Sequence, residues 1–102
     1  MNRNAIIGRL RDREAELREL GVLSLSLFGS IARGDDNEDS DIDVAVRLDP
    51  ARTPQGLDYF DFLEELQQSL EKTLGRRVDL ISEPARKHRF QAGIDKDRVL
   101  AF

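Results

Sequence analysis

There is no cysteine in this 102-residue chain, and that one absence removes a disulfide framework, a thiolate zinc site and a cysteine nucleophile together. Tryptophan is also missing, and prolines number three. The only histidine, His88, sits among Arg86, Lys87 and Arg89, a setting that suits an exposed helical side chain better than a ligand or a general base. No apolar run approaches the ~20 residues needed to span a bilayer, and the start, from Met1 to Leu10, carries no long apolar stretch. A soluble, cytoplasmic protein is expected. Positive charge is in deficit, with 16 Lys and Arg against 20 Asp and Glu for a net −4, so there is no broad basic groove for nucleic acid. Length excludes a multidomain enzyme: domains typically run to ~100–150 residues, and residues 1–102 are expected to form a single domain with one modest core.

What is present is regular spacing. Ile6, Leu10, Leu17 and Leu20 recur at helical intervals between Asn4 and Leu20, predicting one amphipathic helix with Gly21 as its stop. Val22 to Phe28 alternates strictly, predicting a strand that buries Leu23, Leu25 and Leu27 and turns Ser24 and Ser26 to its other face. Gly29-Ser30 follows directly, then a short segment and an acidic loop. A second strand, Asp41 to Val46, sends Ile42, Val44 and Val46 into the core and both aspartates to the opposite face. A long helix is predicted from about Gln55 to Leu74, with Phe60, Leu63, Leu66, Leu70 and Leu74 on one side and Gly75 at its end. Arg77 to Ile81 reads as a third strand burying Val78 and Leu80 with Asp79 outward, and the stretch from Pro84 reads as a short basic helix before an apolar end at Phe102.

Two features carry chemistry. Carboxylates two residues apart on a strand share a face with their β-carbons roughly 7 Å apart, close enough to converge on divalent cations. Magnesium suits such an open acidic cluster, because it takes a few carboxylate oxygens and completes its octahedron with water and phosphate. If Asp79 faces the same way from the neighbouring strand, three carboxylates meet, and their mutual repulsion makes sense chiefly with cations between them. The second feature is Gly29-Ser30 at a strand-to-helix junction, where glycine admits a ligand close to the backbone and exposed amides with a serine hydroxyl suit a phosphate.

Gly29-Ser30, ten intervening residues and then Asp41-Ile42-Asp43-Val44 resembles the signature of the polymerase-β-like nucleotidyltransferases. The fuller string Phe28-Gly29-Ser30-Ile31-Ala32-Arg33-Gly34 with Ser40-Asp41-Ile42-Asp43-Val44-Ala45-Val46 is similar to the minimal nucleotidyltransferase (MNT) antitoxins, and Ile94 to Phe102 resembles their closing segment. The resemblance implies an α+β (α/β) nucleotidyltransferase fold, a small mixed β-sheet flanked by helices. It implies two Mg2+ ions and transfer of AMP from ATP to a tyrosine hydroxyl of a HEPN-domain ribonuclease toxin, within a hetero-oligomeric complex. By that resemblance Asp41 and Asp43 ligate both ions, Asp79 ligates the catalytic one and helps deprotonate the acceptor, Gly29 and Ser30 bind the triphosphate, and Arg33 assists with phosphate or holds the loop.

A non-catalytic antitoxin that acts by direct complex formation is the competing expectation. Nucleotide transfer to RNA or to a small molecule fits less well, since the chain lacks a second substrate domain. One departure from the family pattern is the loop: six carboxylates fall among the nine residues from Asp35 to Asp43, which reads as a solvated loop or as a surface facing a basic partner. From Arg76 onward the balance reverses to seven Lys and Arg against four Asp and Glu.

Overall fold

The computed structural model of the chain describes residues 1–102. Its centre is a four-stranded mixed sheet in the order β3-β2-β1-β4, built from β1 (Val22–Phe28), β2 (Ile42–Leu48), β3 (Val78–Ser82) and β4 (Val99–Leu100). β1 runs antiparallel to both β2 and β4, and β2 runs parallel to β3. Helices α1 (Arg3–Asp12), α2 (Glu14–Glu19), α3 (Gly29–Arg33), α4 (Leu57–Leu74) and α5 (His88–Asp97) flank it. This is the mixed, helix-flanked architecture expected from the sequence. No helix is long and apolar enough to cross a membrane.

The two faces of the sheet differ. One is packed by Leu25, Leu27, Ile42, Val44, Val46 and Val78 against Ile6, Leu10 and Leu17 from the N-terminal helices and Leu66, Leu70 and Leu74 from α4. Area removed from water is worth about 25 cal/mol per Å², so this sixteen-residue cluster is the principal source of stability. The other face holds only Phe28, Ala45 and Ile94 as a buried apolar patch, with Ile81 and Ala85 packed beside it. Apart from the exposed Leu100 opposite Ser26, its remaining positions are polar.

Several local expectations are corrected. The predicted N-terminal helix breaks at Arg13, whose φ of −102° and ψ of 8° leave the helical ladder. That guanidinium crosses to α4, donating to the Thr73 hydroxyl at 2.8 Å and the Ser69 carbonyl at 3.3 Å. Leu23 is exposed, because a register shift between Val22 and Ser24 interrupts the alternation that would have buried it. Leu20 and Phe60 are also exposed, and α4 starts at Leu57, two residues after the predicted Gln55. The apolar C-terminus supplies a fourth strand: Val99 and Leu100 pair with β1, and Ala101 donates to the Leu25 carbonyl at 2.8 Å.

Candidate functional site

β1 ends in an extended Phe28 (φ −145°, ψ −177°) and turns at once into α3, whose first residue, Gly29, has φ +71°. Positive φ of this kind costs an L side chain roughly 1–2 kcal/mol, and here it is coupled to a steric demand. A β-carbon on Gly29 would collide with a carboxylate oxygen of Asp43. The Gly29-Ser30 bend is therefore seated directly against the second strand's acidic side chain. Gly34, at φ +81°, closes the short helix in the left-handed conformation.

Register brings the acidic residues together. Asp43 of β2 lies opposite Phe28 of β1 on one side and opposite Asp79 of β3 on the other. Adjacent residues in register on neighbouring strands project to the same face, so Asp43 and Asp79 share the polar side of the sheet. Asp41 immediately precedes β2 and is exposed. Its influence is still felt: partial burial pushes the Asp43 carboxyl up from its ordinary value, the charges of Asp79 and Asp41 push it further, and Arg33 opposes them. An acid held up by neighbouring acids gains from a cation placed among them.

The donor chemistry fits a hard divalent cation, since every candidate ligand is a carboxylate oxygen and the serine hydroxyl adds another oxygen. The side chains are not drawn into a cage, as no three acidic, histidine or cysteine side chains close around a common point. Asp41 instead meets the Arg77 guanidinium at 3.2 Å. Both partners are largely exposed, and such a surface pair is worth only about 0–1 kcal/mol, small beside the attraction of a doubly charged ion. Asp43 and Asp79 thus share an open, electronegative face of the sheet, with Asp41 just before β2 in an exposed pair with Arg77.

Of the two roles expected for Arg33, at a phosphate or as a hold on the loop, its contacts are those of the second. Its Nε donates to Asp35 at 3.1 Å and an Nη donates to Asp97 at 2.8 Å, so it ties α3 to the acidic loop and to the end of α5. Those two carboxylates hold its guanidinium firmly protonated. The acidic loop is anchored from the far side by Arg76, which donates to the carbonyls of Asn37 at 3.2 Å and Ser40. His88 opens α5 as an exposed residue, as its basic surroundings suggest.

One constellation had no signal in the sequence. Glu83, just past β3, has a fully buried side chain and accepts hydrogen bonds from Arg98 at 2.9 Å and from Gln91 of α5 at 2.7 Å. Arg98 also donates to the hydroxyl of Ser26, the buried serine of β1. These groups come from three separate stretches of chain and pin the polar face together; Arg98 pulls the Glu83 carboxyl below its usual range.

With this geometry in view, the comparisons with known proteins are specific. The sequence model of the nucleotidyltransferase domain matches residues 9–101. The chain is 46% identical over 61 residues to a candidate protein adenylyltransferase of Methanocaldococcus jannaschii, MJ1379, covering 60% of this chain and 57% of that one, and so spans little over half its length. It is 41% identical over 73 residues to the protein adenylyltransferase MntA of Thermococcus cleftensis, covering 71% and 68%. Among solved structures it is similar to one described as a candidate minimal nucleotidyltransferase, with a TM-score of 0.77 and 28% identity over 97% of this chain and 95% of that one. It is also similar to a chain of a toxin-antitoxin complex with AMP-PNP, at TM-score 0.69 and 27% identity over 100% and 73%. A third likeness is to a chain of the complex of tri-AMPylated Shewanella oneidensis HEPN toxin with its MNT antitoxin, at TM-score 0.59 and 26% identity over 99% and 69%.

Proposed function

Because this chain belongs to the nucleotidyltransferase domain family, we propose that it is a protein adenylyltransferase and antitoxin, which moves AMP from ATP onto a tyrosine hydroxyl of a HEPN-domain toxin in a cytoplasmic complex. The relatives named as protein adenylyltransferases and the AMPylated toxin held by a similar chain support this reading. The observation that carries it is local: the Gly29-Ser30 bend abuts Asp43, and Asp43 stands in register with Asp79. A phosphate-accepting turn and paired carboxylates are what transfer at an α-phosphate needs side by side.

In this reading Gly29 and Ser30 bind the triphosphate, and Asp41, Asp43 and Asp79 hold two Mg2+ ions. Bound there, the metal supplies charge neutralisation of the phosphates and acidification of the attacking hydroxyl. The acceptor oxygen forms a bond to the α-phosphorus, the bond from that phosphorus to the β-phosphate oxygen breaks, and pyrophosphate departs. The phenolic proton, bound with a pKa near ~10 in water, passes to Asp79. Arg33, engaged with Asp35 and Asp97, orients α3 and the acidic loop so that Ser30 stays at the mouth of the site.

The test is incubation of the chain with α-labelled ATP, magnesium and the protein encoded beside it. Label should appear on the partner and should vanish with Asp43→Asn. Transfer by an Asp41→Asn, Asp43→Asn double variant at the unmodified rate would overturn the proposal. A variant that transfers nothing yet still neutralises the toxin at equal protein level would favour inhibition by complex formation.

A further inference from the structure

At β3 the sheet stops, and the way it stops is unusual for an edge that is left to solvent. β3 pairs only with β2. Ile42 donates to the Arg77 carbonyl and Glu83 donates to the Val46 carbonyl, which fixes the parity of the strand. Residues 77, 79, 81 and 83 direct their backbone toward β2, and Val78, Leu80 and Ser82 direct theirs outward. The Val78 amide is capped by the Glu71 carboxylate at 2.9 Å. The outward N–H and C=O groups of Leu80 and Ser82 have no such cap, and a bare strand edge is a template for another extended segment.

This bare edge lies in a groove. A cavity of about 480 Å³ runs beside it, walled by Tyr59 and Phe60 from the start of α4, by Pro84, and by Phe90 from α5. Phe60 is 61% exposed and Phe90 46% exposed, uncommon for side chains of this size unless something covers them. Arg86 and Lys87 form the rim and no acidic residue lines the cavity. Neither cation takes part in an ion pair, in a chain whose net charge is −4. The groove also reaches the acidic face: Phe90 packs edge-on to Phe28 at 6.0 Å, Phe28 lies opposite Asp43, and Asp79 directly precedes Leu80.

The geometry points to this groove as the docking surface for an extended peptide segment of a protein partner, alternating apolar and acidic side chains, which adds to β3 as a fifth strand and carries its acceptor hydroxyl toward Asp79. The last clause rests on the transferase reading above; the docking itself does not. Main-chain hydrogen bonds to Leu80 and Ser82 supply affinity in this mode, alternate side chains enter the aromatic groove, and the intervening carboxylates meet Arg86 and Lys87. Basic and aromatic groups together also suit single-stranded nucleic acid. A peptide is favoured because the open backbone groups of Leu80 and Ser82 match those of another strand and have no counterpart in a nucleic acid.

The experiment uses the full chain labelled with nitrogen-15, titrated with a nine-residue peptide alternating glutamate with valine or phenylalanine around a central tyrosine. The Leu80 and Ser82 amides should shift and gain protection from hydrogen exchange. Combined Arg86→Glu and Lys87→Glu should weaken binding about tenfold or more, the value of roughly 1.4 kcal/mol from losing two charge contacts. A peptide with lysine for glutamate, and one N-methylated along the edge-facing side, should not bind. Equal binding of the N-methylated peptide, silent Leu80 and Ser82 amides, or binding of an eight-nucleotide oligothymidine in place of the peptide would each overturn the proposal. The same spectra separate it from the transferase reading: ATP with magnesium reports at the Gly29 and Ser30 amides, so silence there sinks the transferase assignment and leaves the peptide result standing.

Discussion

One face of the sheet is almost wholly apolar and the other carries Ser26, Asp43, Arg47, Asp79 and the Glu83-Arg98 network, although both faces are made by the same strands. The apolar face, with Leu70 and Val44 at no measurable exposure, supplies the burial that holds the fold. That surplus lets the opposite face keep Asp43 beside two other carboxylates at a cost to stability. Stability and chemistry are thus divided between the two sides of a single layer, an economy suited to a chain with room for only one core.

The division predicts a graded set of outcomes. Leu70→Ala, on the apolar side, should cost about 3 kcal/mol through lost burial and a residual cavity, read from urea unfolding; a loss below about 1 kcal/mol would mean the core is not where stability resides. Glu83→Gln, on the polar side, should cost about 2 kcal/mol, because it weakens charge-assisted hydrogen bonds to Arg98 without removing volume. Asp43→Asn should do the reverse and raise Tm by ~2 °C in the absence of divalent cations, a modest gain because the carboxylate is only half-buried and partly screened. Arg77→Ala, which frees Asp41 from an exposed pair, should change stability by less than about 0.5 kcal/mol.

Acid titration sharpens the same contrast within one face. Glu83 is held below its ordinary 4.5, so its contribution is present above that pH and is lost as pH falls through the lowered value. Asp43 is held above its ordinary 3.8, so its contribution is present below that pH and is lost as pH rises through the raised value. Unfolding measured between pH 3 and 7 should therefore show a shallower acid-side fall with Glu83→Gln, Glu16 and Asp95 keeping the remainder, and a weaker decline on the neutral side with Asp43→Asn or on adding magnesium. Both variants behaving alike would break the distinction between a clasp and a strained site.

Much of this arrangement was legible in the residues because it is local. Period-two alternation placed Ile42, Val44 and Val46 inward and Asp43 outward, and the Gly29-Ser30 turn follows from its position between a strand and a short helix. Contacts between distant stretches were not legible. Nothing near Glu83 announces Arg98, fifteen residues away, or Ser26 on another strand, and nothing near Arg33 announces Asp97. Tertiary packing also overrode local pattern: the register shift exposed Leu23, Arg13 turned away to bind α4, and a two-residue strand formed at Val99 only because β1 offered it an open edge.

The seat of Asp43 against Gly29 has a stereochemical consequence. A left-handed backbone and a forbidden methyl are normally inseparable requirements, because any L residue violates both. A chemically synthesised chain with D-alanine at 29 would pull them apart: mirror-image sterics favour the φ of +71°, and the methyl takes the place of the other α-hydrogen, not the one that faces the Asp43 carboxylate. An unchanged Tm for that chain would show that the fold needs only the handedness of this α-carbon, and a loss of nucleotide binding beside it would show that the ligand needs its smallness.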